Sequence, residues 1–112
     1  MARQPVAGNA RTDAPVSTVQ SVTAVNAEVT LLAANSQRFG GMIENASDKV
    51  CYLKFGSGAS ATSYTYALDP MNANGVGGKV NLADSFRNYT GIITAFWPAG
   101  PTGAARVTEL SE

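Results

Sequence analysis

Cys51 is the only thiol of the chain, and no histidine is present to activate it. Ser-His-Asp and Cys-His nucleophiles are therefore excluded, together with the commonest metal ligand. Cys51 stands in Val50-Cys51-Tyr52-Leu53, a run that calls for a small buried hydrophobe. Acid and base chemistry would fall to carboxylates, of which there are eight: Asp13, Asp48, Asp69, Asp84, Glu28, Glu44, Glu109 and Glu112. A glycosidase-type pair needs two of them flanking one cleft. Most stand beside expected turns or strand ends, where acidic residues are ordinary. No catalytic residue, cofactor or metal ligand is expected.

Gly56-Ser57-Gly58 and Gly75-Val76-Gly77-Gly78 have the composition of phosphate-binding loops. That chemistry requires a following helix whose amino terminus meets the anion, and strand-like sequence follows both. They read as plain loops. Asn45-Ala46-Ser47 and Asn88-Tyr89-Thr90 match the glycosylation acceptor pattern, a coincidence in a chain without a secretory signal. Tyr52, Tyr64, Tyr66, Tyr89 and Trp97 are the residues able to stack on sugar faces, with Lys54 and Arg87 as rim charges. The simpler role for these rings is to fill a leucine-poor core or a subunit interface.

Strands must present all of these groups, because no helical periodicity runs beyond about two turns. The first strand of the body is expected over residues 28–33 and the second over 38–46, through Phe39, Met42 and Ile43. Residues 49–55 give the clearest alternation, with Cys51, Leu53 and Phe55 on the core side. Residues 63–68 follow, with Tyr64, Tyr66 and Leu68 in register, and Pro70 ends that strand. A short strand at 79–83, a central one at 89–97 and a last one at 104–110 with Val107 and Leu110 inward complete the set. Residues 17–25 are either an edge strand or the end of an arm. Seven or eight short strands with regular turns define an all-β chain, a single β-sandwich of jelly-roll-like type.

The domain organisation is an extended N-terminal arm over residues 1–26 and a sandwich over 27–112. The arm is rich in Ala, Gly, Asn, Ser and Thr, is interrupted by Pro5 and Pro15, and holds no aromatic residue, Leu or Ile. Ordering a segment of roughly 20 residues costs about 1–2 kcal/mol for each backbone, which such side chains cannot offset alone. A neighbouring molecule is expected to hold it. The body is thin in large apolar side chains as well: Val, Leu, Ile and Phe total 23, against 18 Ala. Self-association is the expected remedy. Eight basic and eight acidic residues cancel without runs, so neither nucleic acid nor a membrane surface is an expected partner. No membrane span or signal-peptide core is visible, which points to cytosolic synthesis.

Several stretches carry a family resemblance. They are Thr30-Leu31-Leu32-Ala33-Ala34-Asn35, residues 38–45, Val50-Cys51-Tyr52-Leu53-Lys54-Phe55-Gly56, Ala59-Ser60-Ala61-Thr62-Ser63-Tyr64-Thr65, residues 89–97 and residues 103–109. Together they cover most of residues 30–110, and the loop after Phe55 and the Tyr89-Thr90-Gly91 turn are the specific parts. The chain resembles small virion proteins of tailed bacteriophages, of the capsid decoration or cement type. Residues 71–84 are longer than the corresponding family connection, and residues 1–26 have no counterpart in it.

The resemblance implies a structural protein, not an enzyme, that sits on the outer surface of the capsid and clamps neighbouring subunits. It implies the major capsid protein of a phage shell as partner, a homotrimer, and the virion as location after assembly in the host cytoplasm. In the arm, Gln4, Pro5, Val6, Val16 and Val19 are the expected partner-binding residues, lying extended on a shell protein. Two alternatives stand beside this reading: a head-fibre base, neck or tail accessory protein, and a carbohydrate-binding module.

Overall fold

The alternation of apolar and polar residues produces strands and nothing else among the described residues, 16–83 and 89–112 of a computed structural model. They are β1 (Val16–Thr23), β2 (Glu28–Leu32), β3 (Arg38–Ser47), β4 (Cys51–Phe55), β5 (Tyr66–Leu68), β6 (Lys79–Asn81), β7 (Ile93–Phe96) and β8 (Gly103–Ser111). Two four-stranded antiparallel sheets result, in the orders β1-β8-β3-β6 and β2-β7-β4-β5. Strands pair first with last: β1 with β8, β2 with β7, β3 with β6 and β4 with β5. The chain thus behaves as one long hairpin wrapped so that alternate pairs fall in opposite sheets. The β8–β3 and β7–β4 ladders close each sheet. This is the strand order of a jelly roll.

The core lies between the sheets and follows from period-two alternation. The first sheet contributes Ile43, Val80, Ala105 and Val107, and the second Leu31, Leu53, Cys51, Ile93 and Ala95, all buried. Trp97, fully buried just past β7, is the largest side chain in it. Its indole Nε1 donates to Ser47 Oγ at 3.0 Å and Asn45 Oδ1 at 3.3 Å. Asn45 Nδ2 donates in turn to the carbonyls of Lys49, Leu68 and Asp69. A polar network inside an apolar core is tolerable only when satisfied, and this one ties β3 to the ends of β5 and β7.

Arg38 is the second buried polar anchor. Its side chain is wholly buried; Nε donates to Glu109 at 2.9 Å, Nη1 to the carbonyls of Tyr89 and Gly91, and Nη2 to that of Ala33. One guanidinium therefore joins β3 and β8 to the segments that enter β3 and β7.

Several sequence expectations need adjustment. The sandwich reaches back to Val16, because residues 16–23 of the expected arm form a full ladder with β8, and Ala24 is buried in the core. The strand expected over 63–68 is reduced to β5, leaving Tyr64 outside the ladder and 46% exposed. The strand at 89–97 is reduced to β7, which does lie between two neighbours. Val107 is buried and Leu110 is not, since residues three apart on a strand face opposite sides.

Candidate functional site

β1 is the feature with no structural explanation of its own. Its sequence, Val-Ser-Thr-Val-Gln-Ser-Val-Thr, is dense in β-branched residues and forms a strand readily. It pairs without a break against β8, from Val16 opposite Ser111 to Thr23 opposite Ala104. Yet seven of its eight residues are exposed, and only Val22 packs against the core. Its other edge has no partner strand among the described residues.

Edges of this kind are normally blunted by charge, proline, a bulge or shortness. The edge strands β5 and β6 are three residues each, and β2 carries Glu28 and a register shift between Thr30 and Leu32. β1 has no charge, no proline and no bulge. It is the long edge left open to pairing.

Of the five residues expected to bind a partner, Gln4, Pro5 and Val6 lie outside the described residues. Val16 and Val19 are both in β1, 56% and 70% exposed. They point to opposite faces: Val19 lies over the outer surface of the sheet, Val16 on the side that turns toward the second sheet. On that inner side a groove of about 340 Å³ runs between β1 and the β2–β3 connection, lined by Thr18, Gln20, Leu32, Ala33, Ala34, Asn35 and Glu109. Glu109 is paired with Arg38, Asn35 donates to Ser111 and Gln20 to the Leu31 carbonyl, so these three polar groups of the groove are already partnered within the chain.

The aromatic residues divide in two. Trp97 is buried, and Tyr66 and Tyr89 pack with Phe55 against the core, Phe55 and Tyr89 being stacked at 5.0 Å and 13°. Tyr52 and Tyr64 form a tilted pair at 4.9 Å on the outer side of the second sheet. Lys54, on the same face of β4 as Tyr52, donates to Ser63 Oγ at 2.7 Å. Arg87 lies outside the described residues.

Among the described residues the shifted titratable groups are set apart, Cys51 in the core and Asp48 in an exposed turn. Among the described residues, no three His, Cys, Asp or Glu side chains gather as a metal site would require. Burial pushes the Cys51 thiol up to about 12. The Thr102 backbone N–H, donating to Asp48 at 2.8 Å, holds that carboxyl below its ordinary value. The glycine-rich loops point their N–H groups at carboxylates of the chain itself: Gly58 donates to Glu28 and Gly77 to Glu44. Asn45, with its amide engaged in the core, is no glycosylation acceptor; Asn88, the other acceptor pattern, lies outside the described residues, as do Asp13 and Asp84. No family model matches the chain, and neither the curated proteins nor the solved structures contain a match to it.

Proposed function

We propose that this chain is a capsid decoration or cement protein, which binds the outside of a phage shell and stabilises it without catalysing a reaction. The observation that carries the reading is β1: a long, uncharged, unprotected strand edge that a stretch rich in small residues, 1–15, immediately precedes in the sequence. The jelly-roll order supports it at the level of fold analogy, since that architecture recurs in viral capsid domains. The sequence resemblance supplies the phage context.

The mechanism is mechanical. In this reading residues 1–15, among them Gln4, Pro5 and Val6, bind the major capsid protein, with backbone hydrogen bonds giving affinity and small side chains permitting close approach. Repeated copies raise avidity through effective concentration. A protein that binds the assembled lattice and not its dissociated subunits stabilises the lattice by mass action. Cryo-EM of purified particles with quantitative mass spectrometry tests the proposal. Hundreds of copies spread over the shell are expected. A dozen or fewer at one vertex would move the chain to the neck, tail or head-fibre base, and absence from particles would overturn the virion reading.

The Tyr52–Tyr64 pair favours a second reading, a carbohydrate-binding surface, because Tyr64 is 46% exposed beside a second ring. A glycan array probed with the wild type and with Tyr64→Ala separates it: binding lost in the variant supports a sugar reader, and no binding by the wild type removes it.

A further inference from the structure

β1 is close to its own complement. Along an edge already paired with β8, only alternate residues turn their N–H and C=O groups outward. Two copies can therefore join antiparallel through this edge only if the twofold axis passes through a residue, not between two. Side chains then choose among the allowed registers. Centred on Val19, Val16 faces Val22, Ser17 faces Ser21, Thr18 faces Gln20 and Val19 faces itself. Centring on Thr18 sets Val16 against Gln20 and Ser17 against Val19; centring on Gln20 sets Thr18 against Val22 and Val19 against Ser21. Of these three, only the Val19 register matches apolar with apolar and polar with polar throughout.

We propose that β1 pairs with β1 of a second copy in the register centred on Val19, so that the two outer sheets fuse into one continuous eight-stranded sheet. The strand carries no charge, so no like charges meet across the axis. The fusion gives the outward N–H and C=O groups of β1 partners and brings the partner's Val16 beside the half-buried Val22 on the inner face. On the outer face the two Val19 side chains meet, each 70% exposed in the single chain. The interface is isologous and closes at two, whereas the family resemblance implies a trimer. It does not rest on the capsid reading, because it is measured on the isolated chain.

Sedimentation equilibrium of the full-length protein at micromolar concentration should give twice the 11.6 kDa chain mass. A monomer or a trimer there overturns the proposal. Val19→Lys sets two ammonium groups on the axis and should weaken the dimer at least tenfold, with the thermal melt of the monomer unchanged because the site is exposed; a dimer of undiminished affinity is the opposing result. The register has its own test. Val19→Cys should form an interchain disulfide on mild oxidation. Ser17→Cys should not, because its two copies stand about 13 Å apart along the strands, beyond the roughly 7 Å that a disulfide spans. Equal crosslinking of the two variants would overturn the Val19 register.

Discussion

Arg38 illustrates how one side chain can hold distant segments together. Its guanidinium, itself wholly buried, meets one carboxylate and three loop carbonyls. Removing one partner of a buried pair leaves the rest unsatisfied, which typically costs about 3–5 kcal/mol. Glu109 retains some exposure, 17%, so the lower end of that range applies to Arg38→Met, measured by urea unfolding. Glu109→Gln keeps an oxygen for Arg38 Nε but removes its counter-charge, and should cost about 1.5–3 kcal/mol, less than the loss of the whole guanidinium. A milder loss in Arg38→Met than in Glu109→Gln would refute the assignment. Cys51 behaves in the opposite way, as a group silenced by its surroundings. With its pKa pushed up to about 12 by burial, the thiol stays neutral in the folded chain, while the unfolded chain ionises near 9. Stability is therefore undiminished by this group below pH 9 and falls as the pH rises above it. At pH 8 a thiol reagent should label the native protein only at the rate of unfolding, and denaturant should release full reactivity; rapid native labelling would show the site to be open.

At the level of elements, Gly41 marks a point where β3 leaves no room for a side chain against β8. Its φ is +151°, and a Cβ there would meet the Thr108 carbonyl and the Leu82 side chain. Gly41→Ala should cost about 2 kcal/mol or more, through backbone strain and displacement of the ladder, whereas Gly75→Ala, at a loop glycine with open space around it, bears only the cost of its positive φ. Comparing their thermal melts checks the difference. The strands themselves were legible in the sequence wherever an alternation was long: β2, β3, β4 and β8 lie where the apolar pattern put them. β5 and β7 are shorter than expected because Tyr64, Tyr89 and Ile92 fit an apolar pattern without joining a strand, and hydrophobicity alone does not report who the neighbour is. The bulge between Arg38 and Gly40 and the burial of Arg38 were hidden for the same reason, since the partners are supplied by residues 33, 89, 91 and 109. The sequence singles out Val16 and Val19 as residues of an arm of small side chains, and the structure finds both exposed in β1. That β1 is a laddered edge was left open, because the eight residues bury almost nothing and their ladder partner lies at the far end of the chain.

For the whole molecule, the pairing of β1 with β8 sets residues 16–23 beside the last strand in one sheet, and the open edge belongs to the strand that residues 1–15 precede in the sequence. That geometry makes a specific demand on how a shell would be gripped. The chain has eight positive and eight negative charges, β1 has none, and the charged side chains of residues 1–15 are Arg3, Arg11 and Asp13 alone. Attraction between net charges can therefore contribute little to binding, and backbone hydrogen bonds with small apolar contacts must carry it. Interactions of that kind are nearly indifferent to salt, whereas exposed ion pairs are screened over a Debye length that shrinks from about 10 Å at 0.1 M to about 3 Å at 1 M. Occupancy on purified shells should accordingly change less than about twofold between 0.1 and 1 M sodium chloride. Quantitative mass spectrometry of particles pelleted at each salt concentration measures it. A steep loss with salt would mean that a few charged contacts, with Arg3 and Arg11 the first to replace, dominate over backbone hydrogen bonding by residues 1–15.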